Sequence, residues 1–201
     1  MRSTASAQAA VFSLPPQIVP VSAGPAQAIW WGPIAVHSGW VYMASTCIIN
    51  RGTWYEGDVW CPLAGVYRVP VMGGQLELFT PLVSTIRLVA SVVVTDDVLV
   101  WASVDSSLTT TSFYAAPNAP NAAGAVLFTT NEQLHSLAVG TGYAFVCTNA
   151  ALHQVSLATG EDTVLAKSGC HSLELVGNQL WRLGAMGTPD QFHLQELTVQ
   201  P

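Results

Sequence analysis

Residues 135–166 read HSLAVGTGYAFVCTNAALHQVSLATGEDTVLA. An apolar stretch at 137–139 is followed by a glycine-containing link, a second stretch at 143–146, a third at 152–157 and, after Thr159-Gly160, a fourth at 162–166. Two-residue alternation with short glycine links is the pattern of consecutive antiparallel hairpins. The opening pair recurs three more times, as IAV at 34–36 with WVYM at 40–43, VVV at 92–94 with VLVW at 98–101, and LEL at 173–175 with LW at 180–181. A further third and fourth strand follow the first of these, VYRVPV at 66–71 and, after Gly73-Gly74, the stretch 75–79. The shortest spacing, 36 residues from 137 to 173, is the bare unit; insertions at 46–62 and 117–124 lengthen the earlier ones.

Four-stranded antiparallel units of about 40 residues are the blades of a β-propeller. The sequence therefore predicts an all-β propeller of four-stranded antiparallel blades, about four blades plus a terminal half-blade, forming a small ring, an open arc or part of a larger ring. The half-blade is read at the N-terminal end, where 18–24 followed by 26–29 copies 68–74 followed by 76–79. At the other end 192–198 is a third strand with no fourth behind it, and the first residues of the chain would complete that blade, since an open sheet edge is a liability. Residues 1–16 are expected as an extended or disordered tail and 17–201 as one propeller domain.

Composition narrows the class of function. Of 201 residues half are hydrophobic and only 9% charged, so the polar surface must come from Ser, Thr, Gln, Asn and Gly. That balance suits an extracellular or periplasmic protein. The net charge is −6 and the six Lys and Arg are scattered, leaving no basic stripe for phosphates, so nucleic acid is not an expected partner. The longest apolar run, 88–94, is far short of the ~20 residues of a spanning helix, and MRSTASAQAA lacks the apolar centre of a secretory signal. Four cysteines without CxxC spacing point to disulfides rather than a zinc ribbon or redox pair. Three connectivities are open. The local pairs Cys47 with Cys61 and Cys147 with Cys170 close the shortest loops, and the alternative is four buried thiols acting as small hydrophobes.

The pattern IAV…VY…GVYRVPVMGG resembles the tandem repeats of bacterial, notably myxobacterial, secreted propellers, and the resemblance covers nearly the whole chain. More distantly it is similar to NHL-repeat, gluconolactonase-like and streptogramin-lyase propellers, most of which are six- or seven-bladed. The resemblance implies a secreted repeat scaffold, and its lyase members imply a metal held at the mouth of the channel.

Two constellations are candidates for chemistry. His135 and His171 each precede Ser-Leu, one bare repeat apart at the start of an innermost strand, and converging imidazoles there would hold a divalent metal. The equivalent positions of the other units are Gly32 and Ala90, which cannot ligate, so a hydrogen bond to the neighbouring blade's backbone is the simpler role. The insertion carries Trp54, Tyr55, Glu56, Asp58 and Trp60, aromatics and carboxylates that suit capture of a sugar or peptide. A packed cap pinned by Cys47 and Cys61, or a calcium site at Glu56 and Asp58, are alternatives, though the ligand spacing of a calcium loop is missing. Asp96-Asp97 reads as a turn that caps its own backbone. There is no GxSxG, HExxH or phosphate loop.

The expectation is a non-catalytic extracellular or periplasmic propeller, without a cofactor, that binds a protein, peptide or glycan through face loops. The alternatives are a metal-dependent propeller lyase or lactonase using His135 and His171, and a structural arc completed by self-association.

Overall fold

A computed structural model describes residues 12–13, 27–49, 65–82, 88–104, 109–185 and 192–198. Among them there is no helix, and the strands form successive antiparallel sheets. The first sheet holds β2 (Gln27–His37), β3 (Trp40–Ile49), β4 (Gly65–Pro70) and β6 (Glu77–Pro81) in that order. The second holds β7 (Leu88–Val94), β8 (Val98–Val104), β9 (Thr111–Pro117) and β10 (Ala125–Thr130). The third holds β11 (Leu134–Gly140), β12 (Tyr143–Thr148), β13 (Leu152–Ser156) and β14 (Asp162–Ala166). The fourth shows three strands, β15 (Ser172–Val176), β16 (Gln179–Ala185) and β17 (Phe192–Thr198).

Within each sheet chain order equals spatial order, as tight hairpins dictate. The link between β2 and β3 is Ser38-Gly39, with φ of 45° and 79°. Two consecutive residues at positive φ match the right-handed twist of the flanking strands, and glycine at the second makes the turn cheap.

The sheets are stacked face to face and approach most closely along their first strands, β2 beside β7, β7 beside β11 and β11 beside β15. The segments containing 34, 92, 137 and 173 thus form one inner edge, in a propeller-like arrangement. Each gap between sheets is a separate apolar core. Tyr42, Val66, Phe79, Val92, Leu99 and Trp101 fill the first gap, Val100, Phe113, Leu137 and Val146 the second, and Phe145, Leu152, Leu173 and Leu180 the third. Strand β8 shows the cause: Leu99 and Trp101 face the first sheet, Val100 and Ala102 the third, so both faces of a middle sheet must be apolar.

Aromatic packing adds shape. Trp101 stacks on Tyr114 at 5.3 Å with 4° between planes. Gly124 lies so close to the indole that a Cβ there would overlap the Trp101 ring, so only glycine lets the chain pass at this point.

The N-terminal end differs from the sequence expectation. Residues 27–29 are not an outer strand. They extend β2, with Ala28 opposite Ile48 and Ile29 opposite Cys47, so the hairpin continues past a bulge that the periodicity did not reveal. The same pairing makes 46–49 strand rather than insertion. Residues 18–24 lie outside the described residues. Phe12–Ser13 (β1) runs parallel to Gly74–Gln75 (β5) beside the first sheet, not against the fourth.

Candidate functional site

Strand direction separates the molecule into two ends. At one, the sheets close through short turns such as Ser38-Gly39, Thr141-Gly142 and Gly177-Asn178. At the other, every first strand begins, and the connections 50–64, 105–110 and 186–191 depart. The first strands carry a shared irregularity there. Pairing breaks at Gly32-Pro33 in β2, at Ala90 in β7 and at His135 in β11. A β-bulge leaves its extra residue unpaired and turns the side chain away from the alternation of the strand. The repeat position shared by Gly32, Ala90, His135 and His171 is this bulge in three sheets and the residue ahead of β15 in the fourth.

The structure brings His135 and His171 together. Their rings stack with centroids 5.4 Å apart and 13° between planes. His135 Nδ1 donates to the carbonyl of Cys170 at 2.8 Å, a bond from one sheet to the backbone of the next. The entry of the fourth sheet is fixed by several further links. Cys147 and Cys170 form a disulfide with Cα atoms 5.6 Å apart, Cys170 N donates to Thr148 O at 3.2 Å, Leu173 N donates to Ser136 Oγ at 3.0 Å, and His171 N donates to Leu183 O at 2.7 Å. Both cysteines are buried within the third core. Imidazole lone pairs lie in the ring plane, so near-parallel rings do not converge on one ion between them. Among the described residues no group of three or more His, Cys, Asp or Glu is arranged to hold a metal.

A polar cluster that the sequence reading did not assemble lies close by. Buried His153 on β13 is held between two carboxylates, with Nδ1 3.0 Å from Asp162 and Nε2 3.2 Å from Glu132 Oε2. The Thr148 hydroxyl donates to Glu132 and, with help from His153 against a smaller opposing effect of burial, holds that carboxyl below the usual range. Both imidazole nitrogens are occupied, so this is a clasp joining the 131–133 link to the outer strands of the third sheet. Its signal was a histidine sharing the strand face of apolar Val155, since a buried polar ring requires partners. Which partners could not be read from spacing.

At the turn end His37 Nε2 lies 2.9 Å from Asp96 Oδ1 and 3.1 Å from Ser38 Oγ. Carboxylate and hydroxyl share one nitrogen, whereas a proton relay needs them on opposite nitrogens. Asp96 does not cap its own turn. Thr95 Oγ1 accepts from Val98 N at 3.1 Å and Asn118 Nδ2 donates to Thr95 O at 2.7 Å, which frees Asp96 to reach the neighbouring sheet.

Trp54, Tyr55, Glu56, Asp58, Trp60 and Cys61 lie outside the described residues, as do the side chains of Cys47 and His193. The backbone on either side is described: β3 ends at Ile49 and β4 starts at Gly65, both at the end carrying His135 and His171.

No protein-family model matches the chain, and no curated protein does. Solved structures do. The chain is similar to the computationally designed Ika8 protein, with a TM-score of 0.56 and 12% identity over 84% of this chain and 46% of that one. It is similar to the computationally designed Ika4 protein, with a TM-score of 0.53 and 13% identity over 85% of this chain and 92% of that one. At such identity the likeness is one of fold. The chain has a β-propeller-like repeat fold, spanning just under half of Ika8 and nearly all of Ika4.

Proposed function

We propose that the protein is a non-catalytic binding scaffold of an extracellular or periplasmic space, taking a protein, peptide or glycan at the end of the stack from which the long connections leave. The observation that carries this reading is strand polarity: it sends 50–64 out from the same end as 105–110, 186–191 and the stacked imidazoles, while short turns close most of the opposite end. Loops projecting from a rigid scaffold are the usual carriers of recognition. Trp54, Tyr55 and Trp60 supply broad apolar faces with a polar handle, and Glu56 and Asp58 accept hydrogen bonds from a sugar or peptide. The Cys147–Cys170 disulfide favours an oxidising compartment.

A glycan array and an immobilised peptide library, each probed with the wild-type chain and with W54A/Y55A/W60A, test the proposal. The triple variant is expected to keep the wild-type thermal transition and lose every binder. Binders retained by the variant overturn the role of this connection.

A further inference from the structure

The repeat register allows the two outermost sheets to be compared, position by position, with the inner ones. Ile34 corresponds to Val92, Leu137 and Leu173. These three are 6%, 8% and 6% exposed because the preceding sheet covers them, whereas Ile34 is 61% exposed. Val36 is 67% exposed where Val94 and Val139 are each at 9%. The fourth sheet repeats the contrast on its other face. Tyr42, Val100 and Phe145 occupy one register position, opposite Ala35, Val93 and Ala138, and all three are buried by the following sheet. Their counterpart Trp181, opposite Glu174, is only half-buried, with Val176 and Leu194 exposed on the same face.

The cores pair these positions in a fixed way. Tyr42 shares a core with Val92, Val100 with Leu137, and Phe145 with Leu173. The next term of that series is Trp181 with Ile34.

Further out on the first sheet's face Tyr67, Val69 and Leu76 are already buried within the chain, so its open part is the inner strand bearing Ile34 and Val36. We propose that two copies of this chain associate head to tail into a closed ring, the fourth sheet of each covering this inner-strand part of the first sheet of the other. Trp181 then packs on Ile34 of the partner subunit as Phe145 packs with Leu173 inside the chain. One observation favours a second copy as the occupant. The exposed faces continue an interface the chain already makes three times, so the surface that fits the fourth sheet is a first-sheet face, and the reverse. Such a head-to-tail contact closes into a ring when its rotation divides a full turn. Glu174 and Glu196 stand directly beside Trp181 on the same face, with Gln179 Nε2 donating to Glu196 at 2.6 Å, so the contact takes in two carboxylates and is more polar than the three cores within the chain. The inference is independent of what the 50–64 connection binds.

Light scattering coupled to size exclusion, over a dilution series, tests it. The wild type is expected at twice the 21.3 kDa chain mass. I34E/V36E alters only the first-sheet face and V176K/L194K only the fourth-sheet face. Each is expected to run at the mass of one chain with unchanged circular dichroism, because these side chains are exposed within a single copy. If a charged variant fails to fold, I34S/V36S and V176S/L194S carry the same comparison. A wild type that stays at one chain mass at every concentration overturns the proposal. So does either variant keeping the wild-type mass, which indicates a symmetric contact through one face, and so does a mass that grows without limit, which indicates an open filament.

Discussion

Thr148 is the residue on which most local order converges. It is fully buried at the end of β12, and its hydroxyl accepts from the amides of Ala150 and Ala151, at 3.2 and 2.9 Å, besides donating to Glu132. Replacement by valine keeps the shape and strands those groups, so T148V is expected to lose roughly 1–3 kcal/mol at neutral pH. Part of the loss carries a pH signature. A carboxyl held below its ordinary value contributes stability that is fully present above the unfolded value, about 4.3, and is lost as pH falls through the lowered folded value. Denaturant unfolding from pH 7 to pH 3 should therefore show the gap between wild type and T148V narrowing below about pH 4. A gap independent of pH would mean that Glu132 does not share in the effect.

At the scale of elements, the weakest support belongs to the fourth sheet, which has a neighbour on one face only. The Cys147–Cys170 bond ties β12 to the segment just ahead of β15, at a sequence separation of 23. Removing it in C147A/C170A is expected to cost about 3 kcal/mol. Reductant should lower the wild type to the level of the variant and leave the variant unaffected. The stacked His135 and His171 depend on the same anchor, because Cys170 supplies the carbonyl that fixes the His135 ring. Loss of the bond is thus expected to broaden both imidazole resonances in a proton–nitrogen correlation spectrum. Sharp, unshifted resonances in the variant would show that the backbone bonds alone hold the pair.

For the whole molecule, each sheet contacts chiefly its neighbours, so stability is distributed along the stack in the manner of other repeat proteins. Strands β8 and β12, apolar and buried on both faces, sit at its middle. In a variant confined to one chain mass, amide exchange is expected to be slowest in β8 and β12 and fastest in β16 and β17. Uniform protection from the first sheet to the fourth would show instead that the stack opens as a single unit. In the assembled wild type the gradient should flatten, because both outer faces are then covered.

Local chemistry was legible from sequence wherever one period decided the outcome. Residues 137–139 and 143–146 fall inside β11 and β12, 152–157 overlaps β13 and 162–166 coincides with β14, since alternating apolar residues between glycine links have one favourable backbone. The repeat spacing likewise placed the four first strands along one inner edge. Bulges are silent in the sequence because one unpaired residue leaves the alternation on either side intact, which is why the pattern assigns 27–29 to a separate strand. The partners of His153 and Asp96 are silent for another reason. Each depends on how far apart two stacked sheets settle, and side-chain volumes across a gap set that distance, not spacing along the chain. The sequence by itself determined that this chain becomes successive antiparallel sheets with apolar faces. Only the tertiary structure decided which of those faces are covered, because burial is a property of neighbours: Ile34 and Leu173 are equivalent in the repeat and opposite in exposure.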